Sequence, residues 1–173
     1  MVKYNGSTSK RMSKLLPVAL IGMGLSAAFC SSALAADEMY HGNFCAPKRD
    51  HISRIERSQW GVKNSSSSTT AVVDCPFNVP FSANLKVTNL TVTVYDRNNS
   101  ADVSCTLTAV AIDGNTIWST SRSSSGAGQG HKFLVFQPPN SNVLGTLNMT
   151  CSIPPSTNSG PSHVTTYRLI TTP

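Results

Sequence analysis

Residues 101–115, ADVSCTLTAVAIDGN, constrain the fold more than any other stretch of the chain. Val103, Cys105, Leu107, Ala109 and Ala111 fall on one side of an extended backbone; Ser104, Thr106, Thr108 and Val110 fall on the other. A period of two has no place in a helix, but a strand with one buried face requires it. The pattern ends in Asp113-Gly114-Asn115, residue types that accept positive φ or bond their own backbone, which predicts a tight hairpin. One cysteine lies on the apolar side. The stretch is therefore expected to be a central strand of a disulfide-stapled β-sandwich.

The start of the chain reads as an export signal rather than as part of a fold. Lys3, Lys10, Arg11 and Lys14 form a basic segment, residues 15–28 are mostly apolar, and Ala33-Leu34-Ala35 puts small residues where a signal peptidase reads. The expected division is a signal peptide over residues 1–35 and a secreted or periplasmic domain over residues 36–173. Cleavage after Ala36 is nearly equivalent. Phe29 before Cys30 speaks against a lipoprotein signal, which needs a small residue there. No second apolar run of spanning length follows, so no membrane span is expected in the mature chain.

The leader holds four of the 14 Lys and Arg residues and none of the 8 Asp and Glu residues. The mature part is thus close to neutral, without the basic stripe that a phosphate backbone demands, and nucleic acid is not expected as a partner. Lys48, Arg49, Arg54 and Arg57 form the densest basic patch and read as solvated surface.

Four cysteines remain after the leader: Cys45, Cys75, Cys105 and Cys151. An even count in an exported chain implies two disulfides, and no pair has the short spacing of a zinc site. Three pairings are possible. Cys45–Cys75 with Cys105–Cys151 is favoured, because Cys105 and Cys151 each lie on the apolar side of an alternating strand. The other bridge would then tie the N-terminal segment to the strand ending at Cys75.

Further strands are expected over residues 60–63, 71–75, 85–96, 116–120, 132–136, 143–153 and 163–170. In the third of these, Leu90, Val92 and Val94 point opposite to Thr91, Thr93 and Tyr95, and Val87 is out of phase, which predicts a bulge near Thr88-Asn89. Residues 37–49 show no periodicity and read as an irregular lead-in. Ile52 and Ile55 allow one helical turn. Pro76, Pro138-Pro139 and Pro154-Pro155 stop strands. The fold class is all-β: a single antiparallel β-sandwich, jelly-roll or Ig-like, of seven to eight strands. A small closed barrel is the alternative.

The order of local signals resembles a loosely defined group of small secreted bacterial β-sandwich proteins with a two-disulfide framework. The residues that carry this are Gly61-Val62-Lys63-Asn64, Val73-Asp74-Cys75-Pro76, Tyr95-Asp96-Arg97-Asn98, Cys105, Cys151-Ser152-Ile153-Pro154-Pro155 and Tyr167. The resemblance implies a secreted sandwich and brings no catalytic residues.

No nucleophile motif is present, and Ser124 and Ser125 near His131 are common residues in a serine-rich chain. Asp96, Asp102 and Asp113 sit at strand ends or turns, where local hydrogen bonding accounts for them. Asp96 and Asp102 flank Asn98 and Asn99, an oxygen-rich loop that a calcium ion could use, but Arg97 opposes it. His41, His51, His131 and His163 have no metal-ligand spacing, and the glycines of residues 126–130 lack the following helix of a phosphate loop. No metal and no cofactor is expected. Trp60, Tyr95, Trp118 and Tyr167 are the candidate ligand contacts, since aromatic faces stack on sugar rings; for the two tryptophans a place in the core is the competing expectation. The function that fits is a non-enzymatic exported protein that binds a glycan or cell-envelope partner. The alternative is a small extracellular hydrolase using Asp96, Asp102 or His131. A third reading is an inhibitor presenting the loop of residues 121–130.

Overall fold

The structure is a computed structural model that describes residues 37–77, 86–125, 129–139 and 145–172. The expected signal peptide, Leu85, Val143 and the tip of the 121–130 loop lie outside the described residues.

Among the described residues eleven strands run in chain order: β1 (Asp37–His41), β2 (Ala46–Pro47), β3 (Ile55–Ser58), β4 (Gly61–Asn64), β5 (Ala71–Pro76), β6 (Lys86–Asp96), β7 (Ser104–Ala111), β8 (Thr116–Ser123), β9 (Gly130–Phe136), β10 (Gly145–Ile153) and β11 (His163–Thr172). They form two antiparallel sheets. One has the order β3-β4-β11-β6-β9, with β1 also paired to β11; the other has the order β2-β5-β10-β7-β8. The last eight strands pair as β4 with β11, β5 with β10, β6 with β9 and β7 with β8. These are the nested pairings of one long hairpin rolled into a sandwich, so the fold is a jelly roll rather than an Ig-like arrangement.

The stretch around Cys105 is the innermost arm of that hairpin. Val103, Cys105, Leu107 and Ala109 are fully buried. The turn after it is held by Asp113, whose Oδ1 accepts the Asn115 N–H at 3.0 Å, and Gly114 takes a φ of +86°. β7 lies inside its sheet between β10 and β8, and β10 is the central strand.

Both expected disulfides are present, Cys45–Cys75 and Cys105–Cys151. Both lie within the second sheet. Cys105 and Cys151 are register partners, and Cys45 precedes the β2 residues that pair with Val73 and Asp74. All four sulfurs face the core, among Leu90, Leu107, Phe136, Met149, Ile153 and Tyr167. The expected bulge is also found: Asn89 pairs with Ile170 and Val87 with Thr171, so Thr88 is the extra residue that brings Val87 back to the buried face.

The N-terminal segment corrects the irregular lead-in. Residues 37–41 form β1, which adds to β11 through a ladder and through the Arg168–Asp37 ion pair. Arg49–Arg54 is a 3-10 turn, and β3 follows it directly. A six-residue turn with no buried side chain shows little hydrophobic periodicity, and a strand at a sheet edge has only one neighbour to enforce it. Asn64 is fully buried and fully used: its amide nitrogen donates to the carbonyls of Thr69, Ile153 and Pro154 at 2.8–3.0 Å, and its Oδ1 accepts from the Ser66 N–H. It ties the start of the polar connection between β4 and β5, residues 65–70, to the end of β10.

Candidate ligand pocket

The β-ladders line up one row of side chains across the outer face of the first sheet. Glu56 on β3 faces Lys63 on β4, Lys63 faces His163 on β11, His163 faces Tyr95 on β6, and Tyr95 faces His131 on β9. Residues directly opposite each other on neighbouring strands share a face, so this row follows from register alone. Glu56 and Lys63 form an ion pair at 2.9 Å. The other three members open into a pocket.

That pocket encloses about 390 Å³ and is lined by Trp60, Tyr95, Arg97, His131, His163 and Thr165. Trp60 stands at the tip of the two-residue β3–β4 hairpin and is 65% exposed. The hairpin is shaped by Ser58, whose hydroxyl donates to the Gly61 carbonyl and accepts the Trp60 N–H. Gly61 takes a φ of +120° and passes so close to the Val164 carbonyl that a Cβ would lie 2.1 Å from its oxygen. Only glycine fits there, and the next strand can then join β11. Thr165 is the extra residue of a second bulge, between Val164 and Thr166, and its hydroxyl donates to the Thr93 carbonyl at 2.8 Å.

Tyr95 is not an open platform. The Arg97 guanidinium lies over its ring at 4.8 Å from the centroid, and the His131 ring packs at 4.7 Å. Its ring holds the Arg97 guanidinium and the His131 imidazole in place. The ring face left free is that of Trp60.

His163 is buried at 8% exposure, and its Nδ1 has no hydrogen-bond partner. Burial holds its imidazole below the ordinary range; Lys63 and Arg97 add to this, and the Pro161 carbonyl opposes it. The folded chain thus keeps His163 neutral where the unfolded chain, titrating near 6.5, has taken a proton. The stability linked to this group is intact above that pH and is lost as pH falls from it toward the folded value. Urea unfolding from about pH 8 to about pH 5 is expected to show a shallower decline in H163Q than in the parent chain. Parallel curves would mean that the imidazole is not desolvated.

The remaining expected residues are dispersed. Tyr167 is fully buried, stacked on Tyr40 at 5.0 Å and donating to the Pro76 carbonyl at 2.9 Å; it has no surface for a ligand. Trp118 lies on β8 in the other sheet, half-buried against the core with its indole nitrogen unpaired. Asp96 turns inward. It is 3% exposed, accepts from the hydroxyls of Ser124 and Ser162 and from the Asn98 N–H, and does not line the pocket. Asp102 is exposed and does not line the pocket. The calcium reading loses its ligands in the same way: Asn98 Oδ1 accepts the N–H groups of Ser100 and Ala101. Among the described residues no group of three or more His, Cys, Asp or Glu could hold a metal ion. Within the expected loop of residues 121–130, Ser121–Ser123 belong to β8, Ser124 is buried and Gly130 begins β9. Sequence reading missed Arg97, His163 and Thr165 as pocket residues. Only the Tyr95–Arg97 spacing was visible along the chain; the others arrive through pairing.

Among the described residues no helix is long and apolar enough to cross a membrane. The sequence matches no family model and no curated protein. In structure the chain is similar to a family 6 carbohydrate-binding module at 14% identity and a TM-score of 0.43, with 75% of this chain and 90% of the module covered. A family 6 module from Clostridium stercorarium, solved in complex with cellobiose, is similar at 14% identity and a TM-score of 0.36, with 75% and 83% covered. The enzymatically active domain of tailspike protein 4 of bacteriophage CBA120 is similar at 6% identity and a TM-score of 0.41, with 78% of this chain but 18% of the tailspike chain covered. Likeness at this level concerns the sandwich architecture alone.

Proposed function

We propose that this chain is an exported, non-enzymatic β-sandwich protein that binds a glycan, free or on a cell envelope, in the pocket beside Trp60. The observation that carries the reading is an indole that is 65% exposed on a tight hairpin, standing at a pocket of about 390 Å³. A large apolar ring held in water on a short, fixed turn gains free energy only when something covers it, and the apolar face of a sugar has the matching shape. Two bridges give the scaffold the durability that an extracellular setting demands.

A glycan array probed with the mature chain and with W60A tests this. The parent is expected to bind a defined subset of glycans. W60A is expected to lose about tenfold or more in affinity while its stability moves by no more than about 0.5 kcal/mol, because the side chain is exposed. Equal binding by both would remove the pocket from the reading. The hydrolase alternative has one observation in its favour, that His131 and His163 flank the same pocket. Cleavage of a bound glycan, abolished in H131A, would replace binding by catalysis.

A further inference from the structure

We propose that the pocket selects an acidic sugar, with its carboxylate or sulfate ester on Arg97 and its ring against Trp60; this rests on the glycan-binding reading and adds the charge of the ligand. No Asp or Glu lines the pocket. The two nearest acids along the chain and the sheet are already engaged: Asp96 by Ser124 and Ser162, Glu56 by Lys63. Lys63 is neutralised by that pairing. Arg97 makes no ion pair among the described residues and is the uncompensated cation of the site.

Arg97 is also built in. Its backbone N–H donates to Ser162 Oγ at 2.9 Å, and its carbonyl accepts from Thr157 Oγ1 and Gln129 Nε2, both at 3.2 Å. Its Nη1 donates to the Ser159 carbonyl at 2.9 Å, and Tyr95 supports the plane of the guanidinium. Among the described residues Nε and Nη2 have no protein acceptor. Two donors in a fixed plane match the two oxygens of a carboxylate or sulfate, and little side-chain freedom remains to be lost on binding. A neutral sugar brings no counter-charge to the guanidinium, and covering that cation without one costs free energy.

The test is titration calorimetry at physiological salt with three probes of matched length: an oligogalacturonate, a heparin-derived oligosaccharide and a cello-oligosaccharide. The parent is expected to bind one or both acidic probes about tenfold or more tighter than the neutral one. R97Q is expected to lose that preference, while R49Q, which removes an exposed charge from the 3-10 turn, retains it. Binding of the oligogalacturonate, which carries carboxylates alone, would identify the anion as a carboxylate; binding of the heparin-derived probe alone, which adds sulfates to its carboxylates, would assign the preference to sulfate. Equal affinity for the neutral probe would overturn the charge preference and leave the glycan reading standing. Equal losses in R97Q and R49Q would reduce the preference to net charge and overturn the site. Silence toward all three probes and the glycan array would remove both.

Discussion

C105A/C151A is expected to unfold at a much lower denaturant concentration than the parent chain, with a loss of about 4 kcal/mol. The figure follows from a sequence separation of 46 residues, since the bridge removes the closure entropy of that loop from the unfolded chain. The position of the bridge makes the expectation sharper. Cys105 and Cys151 are register partners in neighbouring strands, and eight residue pairs already hold β7 to β10. The bridge therefore does not clamp one sheet to the other. Its loss should leave the folded spectrum nearly unchanged while the midpoint falls and the denaturant dependence steepens, because the unfolded chain without the cross-link is more expanded. A loss below about 1 kcal/mol in urea unfolding would show that the unfolded chain already keeps the two strands together. A collapse of native structure in water would show that the ladder and core are too weak to stand without it.

D96A is expected to lose about 3–5 kcal/mol. Asp96 ends β6, and its carboxylate collects the hydroxyls of Ser124, after β8, and Ser162, before β11, together with the Asn98 N–H. Truncation leaves these buried donors without an acceptor. Ser124 Oγ in turn accepts the Val103 N–H at 2.9 Å, and the Ser124 N–H donates to the Val103 carbonyl, so the entry to β7 is disturbed as well. The same node sets the pocket, because Ser162 Oγ also receives the Arg97 N–H. D96A should thus weaken ligand binding at temperatures where it is still folded, although Asp96 touches no ligand. D96N keeps the shape but sets an amide donor among donors, and should fall between the two. A D96A midpoint within about 1 kcal/mol of the parent would mean that water replaces the carboxylate.

Much of the scaffold was legible along the chain because its signals are local. Alternation marks β6, β7 and β10 wherever one face is dry and the other wet. Cysteine parity, together with cysteines on the apolar phase, pointed to the correct pairing. The phase slip between Val87 and Leu90 located a bulge. The residues that resembled secreted sandwich proteins turn out to hold the structure: Gly61 for close approach to β11, Asn64 for the β4–β5 connection, Asp96 for the loop node and Tyr167 for the core. The aromatic candidates were harder. Trp60 and Trp118 look alike in sequence, since an indole suits a core and a binding face equally, and only the hairpin tip separates them. Tyr95 was read correctly as outward, yet its ring is occupied by Arg97 and His131, which register and a turn bring to it.

The sequence pointed to an all-β class, to the strands with one buried face and to two covalent bridges with one of three pairings favoured, because each depends on side-chain chemistry at short range or on a phase that a few residues reveal. The tertiary structure alone decided that the sandwich is a jelly roll, that β10 rather than β7 is central, and that Trp60, Arg97, His131 and His163 share one pocket. Those facts depend on which strand lies beside which. Backbone hydrogen bonds are the same for every residue type, so pairing leaves little trace in the side chains until the sheet has formed.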